Sequence, residues 1–169
     1  MTPFRIRKDA KEWFKDLREK EKAFAIDFDS FYFCFIAGIA SRRKVTVPVD
    51  ETAELVDYFP GAYKDRGKLL VSLMLSAELR DQGISMDDRK SVHTVIADLI
   101  RPNSPSLLSE AGVAKFNQYA HGGFEQLVEW FDDRPRYLET FLRHFKRNLD
   151  RTLDSVWGPV GPNPMLFGD

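Results

Sequence analysis

The segment Phe28–Ala40 constrains the fold most, because it is apolar on nearly every side of a helix. It reads Phe-Asp-Ser-Phe-Tyr-Phe-Cys-Phe-Ile-Ala-Gly-Ile-Ala, and the basic run Arg42-Arg-Lys44 follows it. A helix that is apolar around its circumference is stable only where other elements enclose it. Its longest apolar stretch, Phe31–Ala40, is about half the length that a membrane-spanning helix needs. The segment therefore predicts a helix in the core of a globular domain.

Several other segments have the spacing of helices. Their apolar residues recur at intervals of three and four, with charged residues on the remaining positions. They are Lys8–Lys22, a short helix within Glu51–Phe59, Lys68–Gln82, a helix begun by Ser85 and Asp88 that stops before Pro102, Leu107–Ala120, Phe124–Phe131, and a last helix begun by Asp133 and Pro135. The pattern predicts an all-α fold of about seven helices.

The length of the chain indicates one domain. Its 169 residues suffice for a single hydrophobic core, and no internal repeat divides them. Residues 157–169 are rich in Pro and Gly, which do not extend a helix. We therefore expect a compact single-domain helical bundle over residues 1–156 and an extended C-terminal tail over residues 157–169.

A pair of glycines, Gly122-Gly123, separates two of these segments. Glycine adopts left-handed backbone angles at little steric cost, which suits the end of a helix. Beyond the pair, Phe124, Leu127 and Phe131 recur at helical spacing. The sequence predicts a helix, a glycine corner that His121 caps, and a second helix.

Composition limits the function classes. The net charge is -1, which argues against a uniformly basic coat for nucleic acid but leaves room for local basic patches.

Cys34 is the only cysteine and lies in the apolar segment, so we expect a reduced core residue and a cytoplasmic location. The charged N-terminus lacks a secretory apolar segment, and we expect no membrane partner.

No spacing in the chain defines a catalytic set. His93, His121 and His144 lie on separate predicted elements, and no interval suits zinc ligands. Asp27 and Asp29 could form a metal-binding pair, although helix capping explains them more simply. No phosphate-binding glycine loop or nucleophile motif occurs. We expect no catalytic, metal or cofactor residues, with a metal-dependent nuclease built on the two aspartates as an alternative.

Two basic features are candidates for binding DNA or an acidic partner. One is the run Arg42, Arg43 and Lys44 at the end of a predicted helix. In the last helix, apolar residues are expected to face inward and basic residues outward, where they could neutralise phosphates. An ordinary solvated helix face is the competing interpretation. The inward residues are Tyr137, Leu138, Phe141, Leu142, Phe145 and Leu149, and the outward ones are Arg136, Arg143, Lys146, Arg147 and Arg151.

The tail is apolar as well as rich in Pro and Gly. It contains Trp157, Met165, Leu166 and Phe167. Large apolar groups rarely stay exposed on a soluble chain, so they predict either a groove on the domain or a protein partner. These four residues are the candidates for docking a partner.

Two motifs resemble a known family. They are Phe28-x-Ser-Phe-x-Phe-x-Phe-Ile-Ala-Gly38, which runs into Arg42-Arg-Lys44, and Tyr119-Ala-x-Gly-Gly-Phe-Glu-x-Leu-x-Glu-Trp130. Together they resemble the small accessory proteins associated with bacterial Dnd systems, which carry out DNA phosphorothioation. The resemblance covers roughly residues 10 to 132. This chain departs from the family pattern at His121, where the family has Asn, and at Phe131, where it has Leu.

The resemblance implies a non-catalytic companion of larger modification or restriction subunits in anti-phage defence. Its partners would be those protein subunits, with DNA as a second candidate partner, and its oligomeric state stays open. The family supplies no catalytic residues to transfer. A DNA-binding transcriptional regulator or adaptor that uses the basic last helix is an alternative function.

Overall fold

The computed structural model describes residues 2–158 and contains seven α-helices and one two-stranded sheet. The prediction of an all-α fold with about seven helices is confirmed. In chain order the elements are β1 (Arg5–Arg7), α1 (Lys8–Trp13), α2 (Lys15–Glu19), α3 (Asp27–Ser41), β2 (Thr52–Glu54), α4 (Gly67–Asp81), α5 (Arg89–Leu99), α6 (Glu110–Trp130) and α7 (Leu138–Trp157).

Helices α3 and α6 form the centre of the molecule and touch through their backbones. A Cβ atom at Gly38 would overlap the carbonyl oxygen of Tyr119, and one at Gly123 would overlap the carbonyl oxygen of Cys34. A Cβ atom at Gly122 would overlap the carbonyl oxygen of Arg43. Small residues at these positions let the two backbones approach more closely than any side chain would allow.

The predicted glycine corner is therefore wrong. Helix α6 runs without interruption through Gly122-Gly123, and neither glycine has a positive φ. Their role is the absence of a side chain at a helix crossing, whereas a corner would have used their backbone freedom. His121 is likewise buried within the helix and does not cap its end.

Aromatic side chains fill the space around this crossing. Phe35 of α3 stacks on Phe116 of α6 with ring centroids 3.8 Å apart, and Phe4 packs edge-on or tilted against Phe28, Phe31 and Phe116. These rings are fully or almost fully buried and belong to one continuous core. The apolar segment Phe28–Ala40 is thus enclosed, as the sequence predicted.

The small sheet was not predicted. Strands β1 and β2 pair antiparallel, with Ile6 opposite Ala53, and the backbone N–H of Arg5 donates to Oδ1 of Asn117 on α6. The short helix expected within Glu51–Phe59 is wrong because this segment supplies β2. Its strand partner is more than forty residues away in sequence, so local periodicity does not reveal the pairing.

Other helix boundaries also differ from the prediction. Lys8–Lys22 forms two short helices, and α5 is capped by Asp88 alone, whose carboxylate accepts the backbone N–H of Ser91. The last helix begins at Leu138 instead of near Pro135.

Along α7, Phe141 and Phe145 are buried as expected, but Tyr137 is 64% exposed and Leu142 is 41% exposed. The inward face is therefore narrower than predicted.

Candidate interaction surfaces

The basic run at the end of α3 is paired with the chain's own carboxylates. Arg43 contacts Glu125 and Glu129 of α6 at 3.2 and 2.7 Å. Lys44 contacts two carboxylates of α4. Arg42, in a left-handed conformation at the end of α3, lies 3.9 Å from Asp81. These cations join three helices, and each is already paired with at least one carboxylate.

Glu78 is the centre of a buried polar cluster that the sequence did not predict. Its side chain is 1% exposed; it accepts hydrogen bonds from Lys44 Nζ at 2.9 Å and from the Tyr119 hydroxyl at 2.8 Å. Burial would lower the pKa of Lys44, but hydrogen bonds to Asp81 and Glu78 raise it above its usual value. Burial and the Glu78 carboxylate raise the pKa of Tyr119. A charged lysine and a protonated tyrosine thus compensate one buried carboxylate.

The two aspartates at the start of α3 have separate structural partners. Asp29 accepts the backbone N–H of Ile26 at 3.0 Å and the hydroxyl of Tyr63, which confirms its capping role. Asp27 pairs instead with Lys11 at 3.0 Å and Arg18 at 3.2 Å. The carboxylates of Asp27 and Asp29 therefore bind different neighbouring groups.

The three histidines lie in different surroundings. His93 and His144 are exposed, whereas His121 is buried on α6. Burial and the nearby Arg7 lower the pKa of His121 to about 4, so its imidazole is neutral at pH 7. In residues 2–158, no group of three or more His, Cys, Asp or Glu side chains is arranged to hold a metal ion.

The cations on and just before α7 fall into two groups, those that pair with a carboxylate and those without an ion pair in the described residues. Arg143 pairs with Glu139 at 2.6 Å and Lys146 pairs with Asp150 at 2.7 Å, while Arg136, just before the helix, pairs with Asp133 at 3.2 Å. Arg147 and Arg151 are also exposed and form no ion pair within the described part of the chain. Of the predicted α7 cations, these two are the most available to an external anion.

Trp157 is the last residue of α7 and is held by its own chain. Its indole Nε1 donates to the carbonyl oxygen of Ala40 at 3.0 Å, and the guanidinium carbon of Arg80 lies 4.6 Å from the ring centroid. A tryptophan with both a hydrogen bond and a cation on its ring is an anchor for the end of α7. Of the four predicted docking residues, Met165, Leu166 and Phe167 lie outside the described residues.

A shallow groove adjoins this anchor. Trp157 forms one wall, and α4 and the loop after it form the rest. The groove has a volume of about 310 Å³. Met86 in this loop is 71% exposed, the most exposed of the large apolar residues in the described chain. The lining residues are Ser76, Leu79, Arg80, Ile84, Met86 and Trp157.

Comparison with protein-family models, curated proteins and solved structures gave no significant match. Within the described residues, none of the helices combines the length and hydropathy that crossing a bilayer requires.

Proposed function

We propose that this chain is a non-catalytic accessory subunit of a bacterial DNA phosphorothioation-linked modification or restriction system. It works in the cytoplasm, holding larger subunits of an anti-phage defence complex through protein contacts at its C-terminal end. Contact with the DNA backbone through α7 is the second part of the proposal.

The two motifs that carry the family resemblance support the part of this proposal in which the chain holds other subunits through protein contacts. Phe28–Gly38 lies on α3 and Tyr119–Trp130 lies on α6, and the two segments cross where Gly38 meets Tyr119 and Gly123. The glycines of the two motifs are the residues that the close crossing requires. We therefore propose that binding uses surfaces away from the crossing.

The observation that carries the proposal is the arrangement at Trp157. Its anchoring fixes the end of α7 beside the groove and the exposed Met86. An anchored helix end next to a groove with an exposed methionine suits a joint between subunits, because apolar tail residues would need a surface to cover them.

Deleting residues 159–169 tests the protein-contact part. The tagged full-length chain and the shortened chain, both retaining Trp157, are co-expressed with the products of the neighbouring genes and purified. We expect the shortened chain to lose most of the co-purifying subunit while its circular dichroism spectrum and melting temperature stay unchanged. The reason is that the deletion removes apolar contact area but leaves the anchor and the core intact.

A control outside the groove separates loss of the tail from a general loss of exposed apolar surface. Leu69→Ser removes another exposed apolar side chain, on α4, that does not line the groove, and it should leave co-purification unchanged. Equal recovery of the partner by the full-length and shortened chains would remove the proposed docking role of the tail.

A DNA-binding regulator or adaptor is the second candidate function. The exposed Arg147 and Arg151 favour it, because they are available to phosphates without breaking an ion pair. The ordinary solvated helix face is the competing interpretation, and the binding experiment described next distinguishes the two.

A further inference from the structure

A pocket lies at the corner where the chain turns from α6 into α7. It has a volume of about 290 Å³, and four of its lining residues are aromatic, namely Phe131, Tyr137, Phe141 and His144. Phe131 stacks on Phe141 and on His144, with ring centroids 5.4 and 5.7 Å apart. Tyr137 and His144 are exposed, and the small Thr140, which lies between them in sequence, also lines the pocket. Phe141 is fully buried and packs against Phe131, so the rings that a flat ligand can reach are the exposed ones of Tyr137 and His144.

The charges around the pocket balance one another. Asp132, Asp133, Arg134 and Arg136 all line it. Arg136 pairs with Asp133 at 3.2 Å, and Arg134 lies 3.8 Å from Asp16 of α2. A rim with equal numbers of acids and bases does not select a strongly charged group, so the pocket suits an uncharged ring.

A line of exposed side chains runs from the pocket along α7. Thr140, His144, Arg147 and Arg151 follow intervals of three and four along α7, which places them on one face of the helix. Tyr137 immediately precedes the helix, and all five residues are exposed. At ~1.5 Å rise per residue, Arg151 lies about 10 Å beyond His144 along the axis. Arg147 and Arg151, which form no ion pair within residues 2–158, thus lie on the face of α7 that adjoins the pocket.

We propose that this surface binds single-stranded DNA, with one unpaired base in the aromatic pocket and the following phosphates against Arg147 and Arg151. Stacking on aromatic side chains beside a cationic track is how proteins bind single strands without reading sequence. A duplex keeps its bases stacked inside and cannot place one in the pocket. The inference rests on the DNA-contact part of the proposed function and names the form of DNA.

The test is fluorescence anisotropy of the purified full-length chain with a short labelled oligothymidylate and with a duplex of the same length. We expect the single strand to bind more tightly than the duplex. Arg147→Ala with Arg151→Ala should weaken single-strand binding roughly tenfold and lower its log–log salt slope by about 1.4, from two lost phosphate contacts at ~0.7 each. Tyr137→Ala should also weaken it roughly tenfold, because one stacked base contributes that much.

The matched control is Arg143→Ala with Lys146→Ala, which removes the same charge from residues that are already paired with Glu139 and Asp150. We expect a smaller loss of affinity than from the Arg147→Ala, Arg151→Ala variant, since Arg143 and Lys146 already contact carboxylates. Equal losses from the two double variants, equal affinity for duplex and single strand, or binding of an aromatic acidic peptide in place of DNA would each overturn the inference. Partner co-purification is measured separately, so either proposal can fail while the other stands.

Discussion

Gly123→Ala is expected to lower the free energy of unfolding by about 3 kcal/mol or more, because the added methyl group has no space at the crossing of α3 and α6. The new Cβ atom would overlap the carbonyl oxygen of Cys34 and approach the backbone nitrogen of Gly38. Both are backbone atoms within a helix, which cannot move aside as a flexible side chain can. Urea unfolding followed by circular dichroism measures the change.

Gly61→Ala is the matched control for this prediction. Nothing lies within 4 Å of a Cβ atom at Gly61, and its φ is not positive, so the same chemical change should shift stability by less than about 0.5 kcal/mol. A Gly123→Ala protein as stable as the Gly61→Ala protein would show that α3 and α6 do not cross as closely as described.

Lys44→Met is expected to cost about 3 kcal/mol, because it leaves the buried carboxylate of Glu78 without its nearest cation. The Tyr119 hydroxyl would remain, and Lys115, 3.8 Å from the other carboxylate oxygen, is a weaker partner. The methionine keeps most of the apolar stem, so the change isolates the charge. Urea denaturation at pH 7 gives the difference in unfolding free energy.

Lys146→Met provides the comparison for Lys44→Met. It makes the same substitution in an exposed ion pair with Asp150, where the expected effect is about 0–1 kcal/mol. If the two variants lose the same stability, the Glu78 cluster is not a stabilising contact. A much larger loss of stability for Lys44→Met would show that Lys44 stabilises the fold. The cations of α7 would then be the better candidates for binding DNA.

The helices that form the core could be predicted from the sequence because their signal is local. The apolar segment at α3 and the apolar run at α4 each contain the pattern within fifteen residues. The helix end predicted at Gly122-Gly123 was wrong because the local sequence does not decide which role a glycine has. Glycine serves both as a helix terminator and as a residue without a side chain, and only the neighbouring helix decides between these uses. Gly38, in the facing helix α3, was the residue in the sequence that could have indicated a close helix crossing.

The surfaces were harder to predict because charges acquire their partners through the fold. Arg43 meets Glu129 across 86 positions of sequence, and Lys44 meets Glu78 across 34. Sequence spacing identified the basic clusters but not their pairing. The aromatic pocket was missed because Tyr137 was assigned to the inward face, whereas α7 begins at Leu138 and leaves Tyr137 exposed.

The most direct test of the central claim, that this chain binds and does not catalyse, is turnover of nucleic acid by the purified protein alone. Labelled single-stranded DNA and supercoiled plasmid are incubated with it in Mg²⁺ or Mn²⁺ and resolved on gels. We predict that both substrates stay intact while the single strand is bound. Cleavage that disappears in an Asp27→Asn, Asp29→Asn variant of unchanged melting temperature would contradict the account and establish the nuclease alternative.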